Sequence, residues 1–167
     1  PAFGTLVGLL HNDLPVAGLV DLPVFDECYI GLNGFGAAIT AQLNGALIVP
    51  NGQTELANAR LATTSPRALS PARLVDFNHL ANEVAVTNYG GDCHNYALLA
   101  AGHIDLVMED GLAAHDIMAV AALMQAAGAT VTDLAGQPIR NGQSTDILAA
   151  ATSQLHQAAL SVISQTK

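Results

Sequence analysis

The stretch YGGDCHNYALLAAGHIDLVMEDGLAAHDIMAVAALMQAAGATVTDL, residues 89–134, decides the fold. Gly90-Gly91-Asp92 interrupts the alternating run that ends at Tyr89, and the alanine-rich CHNYALLAAG behind it predicts a helix. IDLVME, residues 104–109, is a short apolar run between turn residues and predicts a strand. The next helix runs from Ile117 to Ala127, with Asp116 placed to cap its first turn and Gly128 to end it. ATVTDL supplies one more strand. Strands and helices therefore alternate with joins of a few residues, which is the pattern of a layered α/β arrangement.

The pattern extends outward on both sides. ARLATT predicts a strand leading into Ser65-Pro66, and residues 70–80 predict a helix opened by Ser-Pro. DILAA is a further strand and residues 153–164 an amphipathic last helix. The first fifty residues differ. FGTLVGLL, residues 3–10, reads as a buried strand, followed by VAGLVDL and ECYIGL. His11-Asn12-Asp13 and Pro23 punctuate them, and the joins are too short for crossover helices, so an antiparallel meander is expected. GFGAAITAQLNG carries glycines that would bend a strand, and Asn44-Gly45 is a turn pair. PNGQTE, residues 50–55, marks a boundary between the two regions.

Composition narrows the partners. Five basic against fourteen acidic residues give a net charge of -9, so no extended basic stripe exists to hold nucleic acid. The same sign opposes an anionic membrane surface, and no apolar run is long enough to span a bilayer. Metal cations, polar small molecules and proteins remain. Cys28 and Cys93 have no metal-ligand or disulfide-framework spacing and read as reduced core residues. Without an export signal the expected location is cytoplasmic, or organellar if a transit segment has been removed.

The densest polar set is Gly90-Gly91-Asp92, Glu109-Asp110 and His115-Asp116, each at the end of a predicted element. Amides at the start of the helix after Gly91 could receive a phosphate. Asp116 reads either as an ordinary cap or as a hard oxygen donor to Mg²⁺, which needs further ligands from elsewhere. His94, His103 and His115 show no HExxH spacing, and neither a Walker motif nor a dinucleotide fingerprint is present. Cys93 at a helix start would be favoured as a thiolate, but no base or acyl substrate is indicated.

Together these stretches resemble the inositol-monophosphatase superfamily, and within it a histidinol-phosphatase-like branch. Residues 89–139 carry most of the likeness; ATTSP, residues 62–66, resembles the family's central substrate-side segment, and the opening strands its meander. The resemblance implies an inositol-monophosphatase/fructose-bisphosphatase-like α/β layered sandwich. It further implies an N-terminally incomplete chain, a fragment that begins after the family's DPxDGT segment, which supplies two metal aspartates and the water-activating threonine. Residues 1–50 would then be the remainder of the antiparallel first sheet. Residues 51–167 would be the C-terminal domain that binds substrate and closes the metal site.

Residue by residue, Asp116 matches the aspartate that closes the metal site, and Glu109 the substrate-contacting carboxylate. Gly90 and Gly91 match the phosphate- and substrate-side turn. Asp92 matches an acidic position of the histidinol-phosphatase-like branch, and Ser65 would border the alcohol part of the substrate. His115 and His94 stand where the family carries aromatic residues. The resemblance implies Mg²⁺-dependent hydrolysis of a small phosphate monoester, with histidinol phosphate first and a role in histidine biosynthesis; the upstream region would be required for full activity, and the chain by itself is expected to be weak or inactive. Asp92 and Glu109 would attract its amine. An inositol or related polyol monophosphate is the alternative, and a catalytically silent binding or assembly subunit another. The partners the resemblance allows are a small phosphorylated metabolite, a complementary N-terminal chain supplying the upstream residues, and a second copy in a homodimer.

Overall fold

The computed structural model describes residues 3–34 and 40–164. Residues 35–39 of the expected glycine-bent stretch lie outside the described residues. Strands β1 (Thr5–His11), β2 (Leu14–Leu22), β3 (Glu27–Leu32), β4 (Thr40–Leu43) and β5 (Ala46–Leu47) follow one another in an antiparallel sheet. Its tight turns use residues that tolerate positive φ: Asn12 and Asp13 at +51° and +63°, Asn44 and Gly45 at +48° and +86°. Two such residues in succession match the right-handed twist of the strands they join.

The second sheet contains β6 (Arg60–Thr63), β7 (Val86–Tyr89), β8 (Leu106–Glu109), β9 (Thr130–Thr132) and β10 (Ile147–Ala150), in the order β7-β6-β8-β10-β9. β6 is parallel to both neighbours, whereas β10 runs antiparallel to β8 and β9. Four helices accompany it: α1 (Pro71–Glu83), α2 (Cys93–Ala100), α3 (Ala114–Ala127) and α4 (Ser153–Ser164). The side chains of β10 alternate between two cores. Ile147 and Ala149 join Leu99, Val120 and Leu123 between the sheets, while Leu148 and Ala150 join Phe77, Leu155 and Ile163 beneath α1 and α4. The layers are therefore sheet, α2 with α3, sheet, and α1 with α4.

α3 is apolar on every side because it is enclosed by both sheets. Its one large polar interior residue, Gln125, accepts a hydrogen bond from Asn33 Nδ2 at 2.9 Å. The helix begins earlier than its sequence suggests. Ala113 precedes the first turn, and Asp116, instead of capping from outside, sits inside the turn and accepts the Ala113 N–H through Oδ2 at 2.9 Å. Gly128 ends the helix at φ +102°.

The strand expected to be buried near the start is present but largely exposed. Val7 and Leu9 are 57% and 60% exposed, because they point away from α3 on a face that no other described element covers. The inward face carries Gly8, Gly18 and Gly31, which lie directly opposite one another across β1, β2 and β3. A Cβ on Gly18 would collide with the carbonyl oxygen of Ala119, and one on Gly31 would lie 2.5 Å from Leu123 Cα. The glycines are thus there to let the backbone of α3 rest on the sheet.

Candidate active site

The parallel strands β6, β7 and β8 end at the same edge of the second sheet, and the loops that follow them carry the polar residues. In sheets of this kind that edge is where ligands bind. A cleft of about 360 Å³ opens there against the first sheet. Phe3, Gly4, Leu6 and Leu22 form its apolar side; Gly91, Asp92, Glu109 and Asp116 form the polar side, with Cys93, His94 and Tyr96 between. A smaller lobe of about 200 Å³ shares Asp92 and Glu109 and reaches Ser65 and Asp110. No arginine or lysine is among the residues lining either lobe.

The turn before α2 is built from three residues at positive φ: Gly90 at +87°, Gly91 at +104° and Asp92 at +47°. The Gly90 N–H donates to the Thr64 carbonyl at 2.9 Å, which ties the turn to the end of β6. Buried Asn95 secures it from the other side, its Nδ2 donating to the Gly90 carbonyl at 2.8 Å. A Cβ on Gly91 would run into the Asn95 amide, so the turn and its clamp require each other. Asp92 projects at the mouth of α2, lining both lobes.

Glu109 ends β8 and is buried. Its Oε1 accepts the Thr64 N–H at 2.8 Å and the Thr64 hydroxyl at 2.6 Å, while Oε2 accepts the Tyr96 phenol at 2.7 Å. Burial, reinforced by the Glu109 charge, raises the Tyr96 phenol well above its ordinary value, so that it remains a donor. The neighbouring Asp110 holds the start of α1 instead. Its Oδ2 accepts from the Ser70 hydroxyl at 2.6 Å and from the Ser70 N–H at 3.1 Å.

Burial and the neighbouring Asp92 charge push the Cys93 thiol up, against the thiolate that a helix start favours. Both cysteines are free, and Cys93 Sγ packs against Gly4. His94 follows Cys93 in the cleft wall. Its ring packs on Phe25 at a centroid distance of 4.7 Å, with Nε2 3.3 Å from Glu27 Oε2, joining the β2–β3 turn to α2.

Asp116 faces the cleft from the first turn of α3, partly exposed. Oδ2 accepts the Ala113 N–H, and Oδ1 lies 3.7 Å from His115 Nε2. This carboxylate is chemically suited to Mg²⁺ as one hard-oxygen ligand. Among the described residues, however, no group of three or more His, Cys, Asp or Glu is placed to share an ion. Of the residues singled out from sequence, the fold brings Gly91, Asp92, Glu109 and Asp116 into one cleft. Ser65 borders only the smaller lobe, its Oγ accepting the Arg67 N–H at 3.3 Å, and Gly90 stands behind the wall. Thr64, Asn95 and Tyr96 are missed by sequence reasoning; only the position of Asn95 and Tyr96 one turn beyond the glycines could have pointed to them.

A layered α/β fold with an acidic cleft at the carboxyl ends of parallel strands, beside a helix N-terminus, defines a class of α/β proteins that bind ligands at that edge. The model of the inositol monophosphatase family matches residues 1–167, and the chain belongs to that family. The bifunctional phosphatase IMPL2, chloroplastic, of Arabidopsis thaliana is 38% identical over 167 residues, covering 96% of this chain and 47% of the relative. A histidinol-phosphatase of Streptomyces coelicolor is 30% identical, covering 99% of this chain and 63% of its own length. The solved inositol monophosphatase of Zymomonas mobilis superposes with a TM-score of 0.92 at 33% identity, over 97% of this chain and 62% of that one. The chain thus spans about half to two thirds of the length of these relatives.

Two expectations are corrected. The narrower resemblance to a histidinol-phosphatase branch, and with it histidinol phosphate and histidine biosynthesis, does not hold: the match is to the inositol monophosphatase family as a whole, and the histidinol-phosphatase is the more distant relative at 30% identity. The expectation of an N-terminally incomplete sandwich, a fragment following DPxDGT, gives way to a match over the whole of the given chain. The family match takes in residues 1–167, and the layered fold extends over nearly all of the chain. Among the described residues no helix is long and apolar enough to cross a membrane.

Proposed function

We propose that this chain takes part in Mg²⁺-dependent hydrolysis of the phosphate monoester of a small polyol, with an inositol monophosphate as the leading substrate. The observation that carries the reading is one cleft in which the Asp116 carboxylate and the N-terminus of α2 face a common space walled by Asp92 and Glu109. The likeness to the Zymomonas mobilis inositol monophosphatase supports the substrate class. In this reading residues 51–167 supply the substrate-binding and metal-closing side, and residues 1–50 the opposing sheet.

The amides of Gly91 and Asp92 make no hydrogen bond among the described residues and, with the dipole of α2, attract a phosphate oxygen. Asp116 would give one oxygen to Mg²⁺, an ion that commonly binds through one or two carboxylates, waters and substrate phosphate. When bound, the ion would supply the positive charge that the cleft wall lacks, neutralising phosphate and leaving alkoxide. Asp92, Ser65 and Glu109 exchange hydrogen bonds with the polyol hydroxyls, the two carboxylates as acceptors. The apolar side, with Phe3, Leu6 and Leu22, limits water around the reacting group.

Phosphate release from inositol monophosphate by the purified chain, in Mg²⁺ and in EDTA, tests the proposal. Release should require the metal, and Asp116→Asn should raise the Mg²⁺ concentration for half-maximal rate by about tenfold or more while the melting curve stays close to wild type. Failure of the folded chain to release phosphate with Mg²⁺ present overturns the reading; binding without turnover would make the chain a binding subunit.

A further inference from the structure

We infer that Tyr96 is a positioning residue that, through Glu109, fixes which end of the substrate enters the acidic half of the cleft; the inference rests on the polyol-phosphate reading above. Glu109 has no ion-pair partner among the described residues, so its orientation depends on neutral donors. A carboxylate oxygen has two lone-pair directions. At Oε1 both are filled, by the N–H and the hydroxyl of Thr64. At Oε2 the Tyr96 phenol fills one, which leaves one open on a carboxylate that lines the cleft. The free position can only accept. It welcomes a hydroxyl and repels a phosphate oxygen, so the alcohol end of the substrate lies against Glu109.

Tyr96 suits this role because its group has little freedom to do anything else. It is 3% exposed, on a helix packed against α3, and its phenol stays protonated far above neutral pH. Thr64 follows β6 and Tyr96 belongs to α2, so the carboxylate at the end of β8 is gripped from two further elements. Removing the phenol leaves Oε2 with two open directions, and Glu109 becomes free to rotate about its bonds to Thr64.

The test compares inositol monophosphate with phenyl phosphate, which has no hydroxyl to offer Glu109. In Tyr96→Phe the ratio of kcat/KM for the inositol ester over that for the phenyl ester should fall about tenfold, the loss carried mainly by KM for the inositol ester. Thr64→Ser, which keeps both donors, should hold the wild-type ratio, whereas Thr64→Val should lower it. An equal loss on both substrates, with the ratio unchanged, shows a purely structural role and overturns the inference. A crystal structure of Tyr96→Phe provides a readout that needs no turnover. A Glu109 carboxylate displaced or rotated from its wild-type position supports the inference, and one left in place overturns it. Should the wild type hydrolyse neither ester, the functional reading fails and the crystal structure alone decides the role of Tyr96.

Discussion

Asp92 shows how much the site asks of a single residue. At φ +47° and ψ -132° it occupies backbone territory that L side chains rarely adopt, and its carboxylate makes no capping hydrogen bond to α2 that would compensate. Such strain costs on the order of 1–3 kcal/mol and is retained where a site needs it. Asp92→Gly should therefore raise the urea midpoint by the equivalent of about 1 kcal/mol, after allowing for the added freedom of the unfolded chain. The same change should lower kcat/KM for inositol monophosphate. A drop in stability would show that the conformation is not strained. At this scale the sequence is only partly legible. Gly90, Gly91, Asp92, Glu109 and Asp116 stand out as polar residues and glycines at element ends. Thr64, Asn95 and Tyr96 do not, because their importance lies in hydrogen bonds between segments apart in the chain, which no local pattern records.

Elements are easier to read than their surroundings. The helix Ser153–Ser164 follows from its apolar stripe, and the strands of the first sheet from their turn residues. What no periodicity reveals is which face of β1 meets the core. Glycines there look like weak strand formers, yet Gly8, Gly18 and Gly31 form the contact surface for α3. Their role depends on cross-strand register, which is set by the hairpins and not by any one strand. Gly18→Ala should consequently destabilise the protein by roughly 3 kcal/mol, since the added methyl meets the Ala119 carbonyl and the enclosed helix has no free side to retreat to. Thermal or urea unfolding measures this. Asp116 lies on the same helix one turn before Ala119, so the Mg²⁺ dependence should shift as well. A stable Gly18→Ala protein with unchanged metal response would refute this account of the packing.

The molecule as a whole carries a pH limit unrelated to its cleft. His156 on α4 is buried, with Nε2 2.9 Å from Thr132 Oγ1, and burial, partly opposed by the Leu148 backbone, lowers its pKa from the ordinary 6.5. The unfolded chain therefore takes up this proton first. The contribution of neutral His156 is fully present above pH 6.5 and is lost as pH falls below it toward the folded value. Urea midpoints should decline from about pH 7 to about 5.5, and His156→Gln should flatten that decline; an unchanged slope would place the titration elsewhere. The seating of α3 on the glycine row has a consequence in time. The strands that bear the row leave the ribosome before the helix that covers them, which is encoded roughly eighty residues later, about 4–16 s at ordinary rates of synthesis. Throughout that interval the nascent meander has no partner for its inner face, so its greatest exposure to misassociation comes during translation.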